Sequence, residues 1–143
     1  MPTRFLLAAA ALAATAGTAA IAQVTPQRLT ANLTGAAEVP GPGKLNATGS
    51  AVVRVNPQQR RVCYTVSFQR IPNANMAHIH SGRRGVAGPP VVTLQRAGRS
   101  RFESCTRVAR ALARDLAANP RAFYVNVHSQ AFPNGAIRGQ LRR

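Results

Sequence analysis

The residues in this chain best suited to chemistry are its three histidines, and all of them fall in stretches that alternate. Ala77-His78-Ile79-His80 sets two imidazoles two residues apart. Side chains alternate along an extended strand, so His78 and His80 share one face. In Phe123-Tyr124-Val125-Asn126-Val127-His128 the same rule puts Tyr124, Asn126 and His128 on one side and the apolar residues on the other. Neutral imidazole suits copper, zinc, nickel or iron. An H-x-H pair with a third histidine from a neighbouring strand is a common three-nitrogen ligand set. The alternative to an exported, non-enzymatic binding or cell-envelope module is a mononuclear site for one copper or zinc ion at His78, His80 and His128, conditional on the two segments lying side by side. Two other readings stay open: imidazoles hydrogen-bonded to backbone groups at strand ends, and a proton-responsive or partner-binding role. No acid follows in sequence to orient the rings, which leaves backbone carbonyls, Asn126 or Tyr124 for that task.

No other constellation points to turnover. The carboxylates are Glu38, Glu103 and Asp115, far apart in sequence, and nothing pairs two of them as a glycosidase needs. There is no nucleophile elbow, phosphate-binding loop or dinucleotide fingerprint. No catalytic residue is assigned, and a non-enzymatic protein is expected. Cys63 and Cys105 are the only cysteines and form no C-x-x-C, so in an oxidising compartment they read as one disulfide. The other reading, a reactive thiol with a resolving partner, stands behind it.

That compartment is read from the N-terminus. Arg4 precedes an apolar stretch from Phe5 to Ala14, and Ala20-Ile21-Ala22 is an A-x-A type cleavage site. Residues 1–22 are therefore expected to be a signal peptide, with a secreted or periplasmic protein beginning near Gln23. No later segment has 18 consecutive apolar residues, so no transmembrane span is expected. The full chain of 143 residues carries 19 Lys and Arg against 3 Asp and Glu. The Arg residues are dispersed, without a dense run or an aromatic platform, so no nucleic-acid partner is expected. The charge fits either a solvated surface or contact with an anionic cell-surface polymer or an extracellular protein.

The elements that must position these residues are short and extended. Leu29–Leu33, Ala51–Val55, Val62–Phe68, Met76–His80, Val91–Leu94, Phe123–His128 and Ala136–Leu141 read as strands, with Val62, Tyr64, Val66 and Phe68 on one face. Between them lie turn residues such as Pro40-Gly41-Pro42-Gly43, Gly88-Pro89-Pro90 and Pro133-Asn134-Gly135. Val108, Leu112 and Leu116 recur at helical spacing, so residues 108–118 read as one short amphipathic helix, capped by Thr106 and ended by Asn119-Pro120. The fold class is all-β: an antiparallel, Greek-key-like β-sandwich with this helix over one end, in a single domain of residues 23–143.

Several stretches also resemble the CHRD domain, named for chordin. They are Leu33-Thr34-Gly35-Ala36-Ala37-Glu38-Val39-Pro40, Ala77-His78-Ile79-His80, Tyr124-Val125-Asn126-Val127-His128-Ser129, and Pro133 to Leu141 with its Ile137-Arg138-Gly139-Gln140. The resemblance spans roughly Leu29 to Leu141 and implies a secreted or surface β-rich domain without agreed catalytic residues. It singles out Glu38, Asn126 and Arg138 as motif residues, with Glu38 and Arg138 expected to pair or to support loops. A weaker likeness to copper/zinc superoxide dismutase rests on H-x-H alone, because the remaining ligands of a bimetal site are missing.

Overall fold

The structure is a computed structural model and describes residues 26–143. The expected signal peptide lies outside the described residues. Nine strands follow one another as β1 (Gln27–Thr34), β2 (Thr48–Asn56), β3 (Arg61–Gln69), β4 (Ala74–Ser81), β5 (Pro90–Leu94), β6 (Arg96–Gly98), β7 (Arg101–Arg107), β8 (Phe123–Ser129) and β9 (Phe132–Gln140). A single α-helix, α1 (Arg110–Ala118), separates β7 from β8.

The strands form one antiparallel sheet in the order β5-β4-β8-β9-β1-β2-β3-β7-β6. Its two edges, β5 and β6, are joined through Gln95 alone. The Gln95 amide donates to Tyr64 Oη at 2.9 Å, and its carbonyl accepts from the Glu103 amide at 3.1 Å. A single bent segment thus pairs with β4 at one end and β7 at the other, and the sheet wraps into a nearly closed barrel. The all-β expectation holds, but the two-sheet sandwich does not. Strand alternation reports which side chains face inward, and it is the same for a sandwich and a barrel.

Alternation fills the interior. Val62, Tyr64, Val66 and Phe68 of β3 all point inward, as do Ile79 of β4, Val125 and Val127 of β8, and Ile137 of β9. Each such side chain, fully buried, contributes about 1.5–3 kcal/mol. Gly139 lets β9 meet β1, because a Cβ there would collide with the Asn32 carbonyl. Cys63 and Cys105 face each other across β3 and β7 and are disulfide-bonded, with Cα atoms 4.0 Å apart.

The helix begins at Arg110, two residues later than expected. Thr106 does not cap it but pairs with Val62 inside β7. Only Phe102 of β7 faces the core among otherwise polar residues, which is why this strand is hard to see in sequence. Asn119 ends the helix as expected: its amide and its side chain both bond Asp115, at 2.8 Å each. Ala113 and Leu116 bury the helix against the core. Pro133-Asn134-Gly135, read as a turn, lies instead within β9, where Gly135 takes φ +139°.

Candidate metal centre

β4 and β8 are neighbours, paired as His78 with Asn126 and His80 with Tyr124. Their inward faces carry Ala77, Ile79, Val125 and Val127, so the alternate residues project from the outer wall of the barrel. That wall is covered. Residues 82–89 fold back over it: Gly82 N–H donates to the Ala122 carbonyl at 2.7 Å, and Gln140 Nε2 donates to the Gly82 carbonyl at 2.7 Å. His80, His128 and Asn126 are consequently buried, and His78 is half-buried. The H-x-H alternation and the strand pairing together bring all three imidazoles to one place. One ligand nitrogen from each lies within 4.8 Å of the others.

The two buried rings have a defined proton state. His80 Nδ1 lies 2.7 Å from the Gly88 carbonyl, and His128 Nδ1 lies 2.9 Å from the Pro133 carbonyl. A carbonyl only accepts, so each Nδ1 carries the proton and each Nε2 keeps its lone pair. His128 Nε2 sits 3.1 Å from His78 Nδ1, so one proton is shared between those rings. His80 Nε2 is buried without a hydrogen-bond partner, and so is Asn126 Oδ1. Burial pushes the His78 pKa down from 6.5 to about 4, helped by the neighbouring His128 and His80. Burial also lowers His80, against the Gly88 carbonyl and Asn126, and lowers His128, against the Pro133 carbonyl. Asn126 stands close enough to oppose the fall at His80, yet its Oδ1 and the His80 Nε2 complete no hydrogen bond. All three rings are therefore neutral donors at neutral pH.

A stack holds His80 in place. Its ring lies against Tyr124 with centroids 4.8 Å apart and planes 12° from parallel. The Arg138 guanidinium covers the other face of Tyr124 at 3.4 Å from the centroid, a cation–π contact. Tyr124 Oη accepts from the Gly88 amide at 3.1 Å, which fixes the loop whose carbonyl holds His80. Arg138 Nη2 donates to the Arg83 carbonyl of the same loop at 2.9 Å. Glu38 is buried with its carboxylate against Gly135, and its Oε1 has no partner. Burial raises its pKa to about 7, against the pull of Arg138 and the Val39 amide. The only ion pair among the described residues is Arg101–Glu103. Glu38 and Arg138 thus sense each other's charge without the direct pairing that was one of their two expected roles. Arg138 bonds instead to the Arg83 carbonyl of the covering loop.

Gly88 and Pro133 were not foreseen as individual partners of the rings. The dispersed arginines also gather more than their spacing suggested. Arg83, Arg121, Arg142 and Arg143, with Asp115, line one hollow of about 910 Å³ beside the end of α1 that includes none of the histidines.

A barrel with a cluster of neutral imidazoles under a loop on its outer wall defines a β-rich domain with a built polar site. The family model of the CHRD domain matches residues 29–141. The chain belongs to the CHRD-domain family. No curated protein and no solved structure matches it.

Proposed function

We propose that this CHRD domain acts outside the cytoplasm, after loss of residues 1–22, as a non-enzymatic binding module of residues 23–143 that holds one transition-metal ion at His78, His80 and His128. The observation that carries the reading is the pair of committed Nδ1 protons, which leaves His80 Nε2 and His128 Nε2 as lone-pair donors. An orphaned buried nitrogen at His80 adds to it. Nitrogens bound at about 2.0–2.1 Å lie at most about 4.1 Å apart, and about 3.4 Å apart in a tetrahedron. The His78–His128 pair already meets this at 3.1 Å. The widest separation, up to 4.8 Å, has to close by about an ångström or more. His78 is the half-buried ring and the one free to turn. With its proton on Nε2 in place of Nδ1, His78 would offer Nδ1 as the third lone-pair donor beside His80 Nε2 and His128 Nε2.

The test is elemental analysis of untagged protein soaked with copper or zinc. One equivalent is expected, falling below 0.1 in the His80→Ala variant as a rough threshold set by the loss of one of three ligands. Less than that in the unaltered protein ends the metal reading.

A second reading concerns partners. The arginine-lined hollow supports contact with an anionic cell-surface polymer. Retention on a polyanion column should be lost at 0.5 M salt, where screening acts over about 4 Å. Retention that ignores salt, or no retention at all, ends it.

A further inference from the structure

We infer that Met76 supplies a thioether as fourth ligand beside the three histidines, making the site one for cuprous copper. The inference rests on the histidine reading above and names the metal for it. Met76 pairs directly with His128 across β4 and β8. It also precedes His78 by two residues on the same strand, so both project from the outer wall. Directly opposite residues on one face of an antiparallel pair have Cβ atoms about 4.5–5.5 Å apart. The unbranched methionine arm has three rotatable bonds and spans such a gap.

Among the described residues, Met76 is 46% exposed, one of three large apolar residues that stand in solvent, with Leu45 and Val86, and of the three it alone lies on a histidine-bearing strand. The covering loop is held over His80 and Tyr124, further along β4, and leaves the Met76 end open. Register and exposure therefore put Met76 beside His128 at a solvent-exposed position, from which its thioether can turn toward the three nitrogens.

Two physical arguments select the ion. Soft thioether donors favour Cu(I) over zinc. The donors are all neutral, and the buried charge of Arg138 lies just beyond Tyr124. Repulsion from that charge scales with the charge of the ion, so a monovalent ion meets half the opposition of a divalent one.

The experiment is anaerobic titration of the unaltered protein, Met76→Leu and His80→Ala with Cu(I) against a coloured cuprous chelator, and with Zn²⁺ in parallel. X-ray absorption at the copper edge accompanies it. Leucine keeps the apolar bulk at an exposed position, so folding is preserved. The expected result is a loss of at least tenfold in Cu(I) affinity for Met76→Leu, less than twofold change for Zn²⁺, and a sulfur scatterer in the unaltered protein only. Equal Cu(I) affinity in Met76→Leu, or copper surrounded by nitrogen alone, overturns the Met76 inference and leaves the histidine site standing. No binding of either ion by the unaltered protein removes both.

Discussion

Replacing Glu38 by Gln tests the electrostatics of the outer wall. Gln is the neutral likeness of a protonated carboxyl. Glu38 sits buried against Gly135 with an orphaned Oε1, and burial raises its pKa from 4.5 to about 7. A group whose pKa is higher folded than unfolded binds more protons when folded. Its contribution is complete below about pH 4.5 and is lost as pH rises through 7. The difference between 4.5 and about 7, at 1.36 kcal/mol for each pH unit, is about 3 kcal/mol. Below pH 4.5 the two proteins should therefore unfold alike. Above pH 7 Glu38→Gln should be more stable by up to about 3 kcal/mol, because the unaltered protein must keep a poorly solvated carboxylate. Urea unfolding at intervals from pH 4 to 8.5 reads the difference directly. The reasoning fails if the Gln variant is the less stable protein at pH 8. That outcome means an ionised Glu38 is held by Arg138 in a favourable pair.

The histidines carry the opposite sign. With His78 at about 4 folded and 6.5 unfolded, the unfolded chain takes up more protons between those values, so stability should fall as pH drops through that window and level off below it. For this half-buried ring, screening leaves about 1–2 kcal/mol of the full difference, read as the part of the pH 7 to pH 4 change in unfolding free energy of Glu38→Gln that is lost when His78→Gln is added, since His80 and His128 titrate in the same direction. Gly135→Ala places a Cβ on the Glu38 carboxylate at φ +139° and should cost about 2–3 kcal/mol; a melting temperature within 2 °C of the unaltered protein, less than the shift of about 4 °C that 1 kcal/mol gives in a domain of this size, would contradict it. Replacing both Cys63 and Cys105 by Ser opens a link between residues 42 apart and should cost about 4 kcal/mol in the chain-entropy account. Equal urea midpoints for the two proteins would refute that figure.

Much of this was legible in sequence because β-alternation is a local property. Val62 to Phe68 announces its buried face by residue type alone, and so does Val125 with Val127. The same alternation, read on the other face, already put His78 with His80 and Tyr124 with Asn126 and His128. What it lacks is any record of which strands adjoin. The closure through Gln95 depends on one backbone–backbone hydrogen bond and one from its amide to the Tyr64 hydroxyl, and neither shows as a pattern in sequence. β7 was hidden for a related reason: its neighbours cover it so lightly that only Phe102 needs to be apolar. Gly88 and Pro133 act through carbonyl oxygens, which every residue has, so their identity as ring partners follows from the loop path alone.

The outer wall breaks a rule that the interior keeps. Inside the barrel every inward position of β3 is apolar. Outside, on β4, β8 and β9, the same sheet buries two imidazoles, half-buries a third, and buries an amide, a guanidinium and, from a neighbouring loop, a carboxyl. Burying such groups unsatisfied costs about 1–3 kcal/mol each, and three of their atoms, on Glu38, His80 and Asn126, have no partner. An apolar outer layer beneath residues 82–89 would hold the loop more cheaply. A chain that keeps polar groups where apolar ones would be more stable is showing where function opposes stability. Asn126 separates this view from a purely structural one. Asn126→Leu removes an orphaned oxygen, keeps the branched shape of the side chain and should leave stability unchanged or improved. If the cluster exists for a ligand, the same substitution should weaken Cu(I) or Zn²⁺ uptake at least threefold by loosening the setting of His80. A variant that is both more stable and undiminished in metal uptake would show that the amide serves neither purpose.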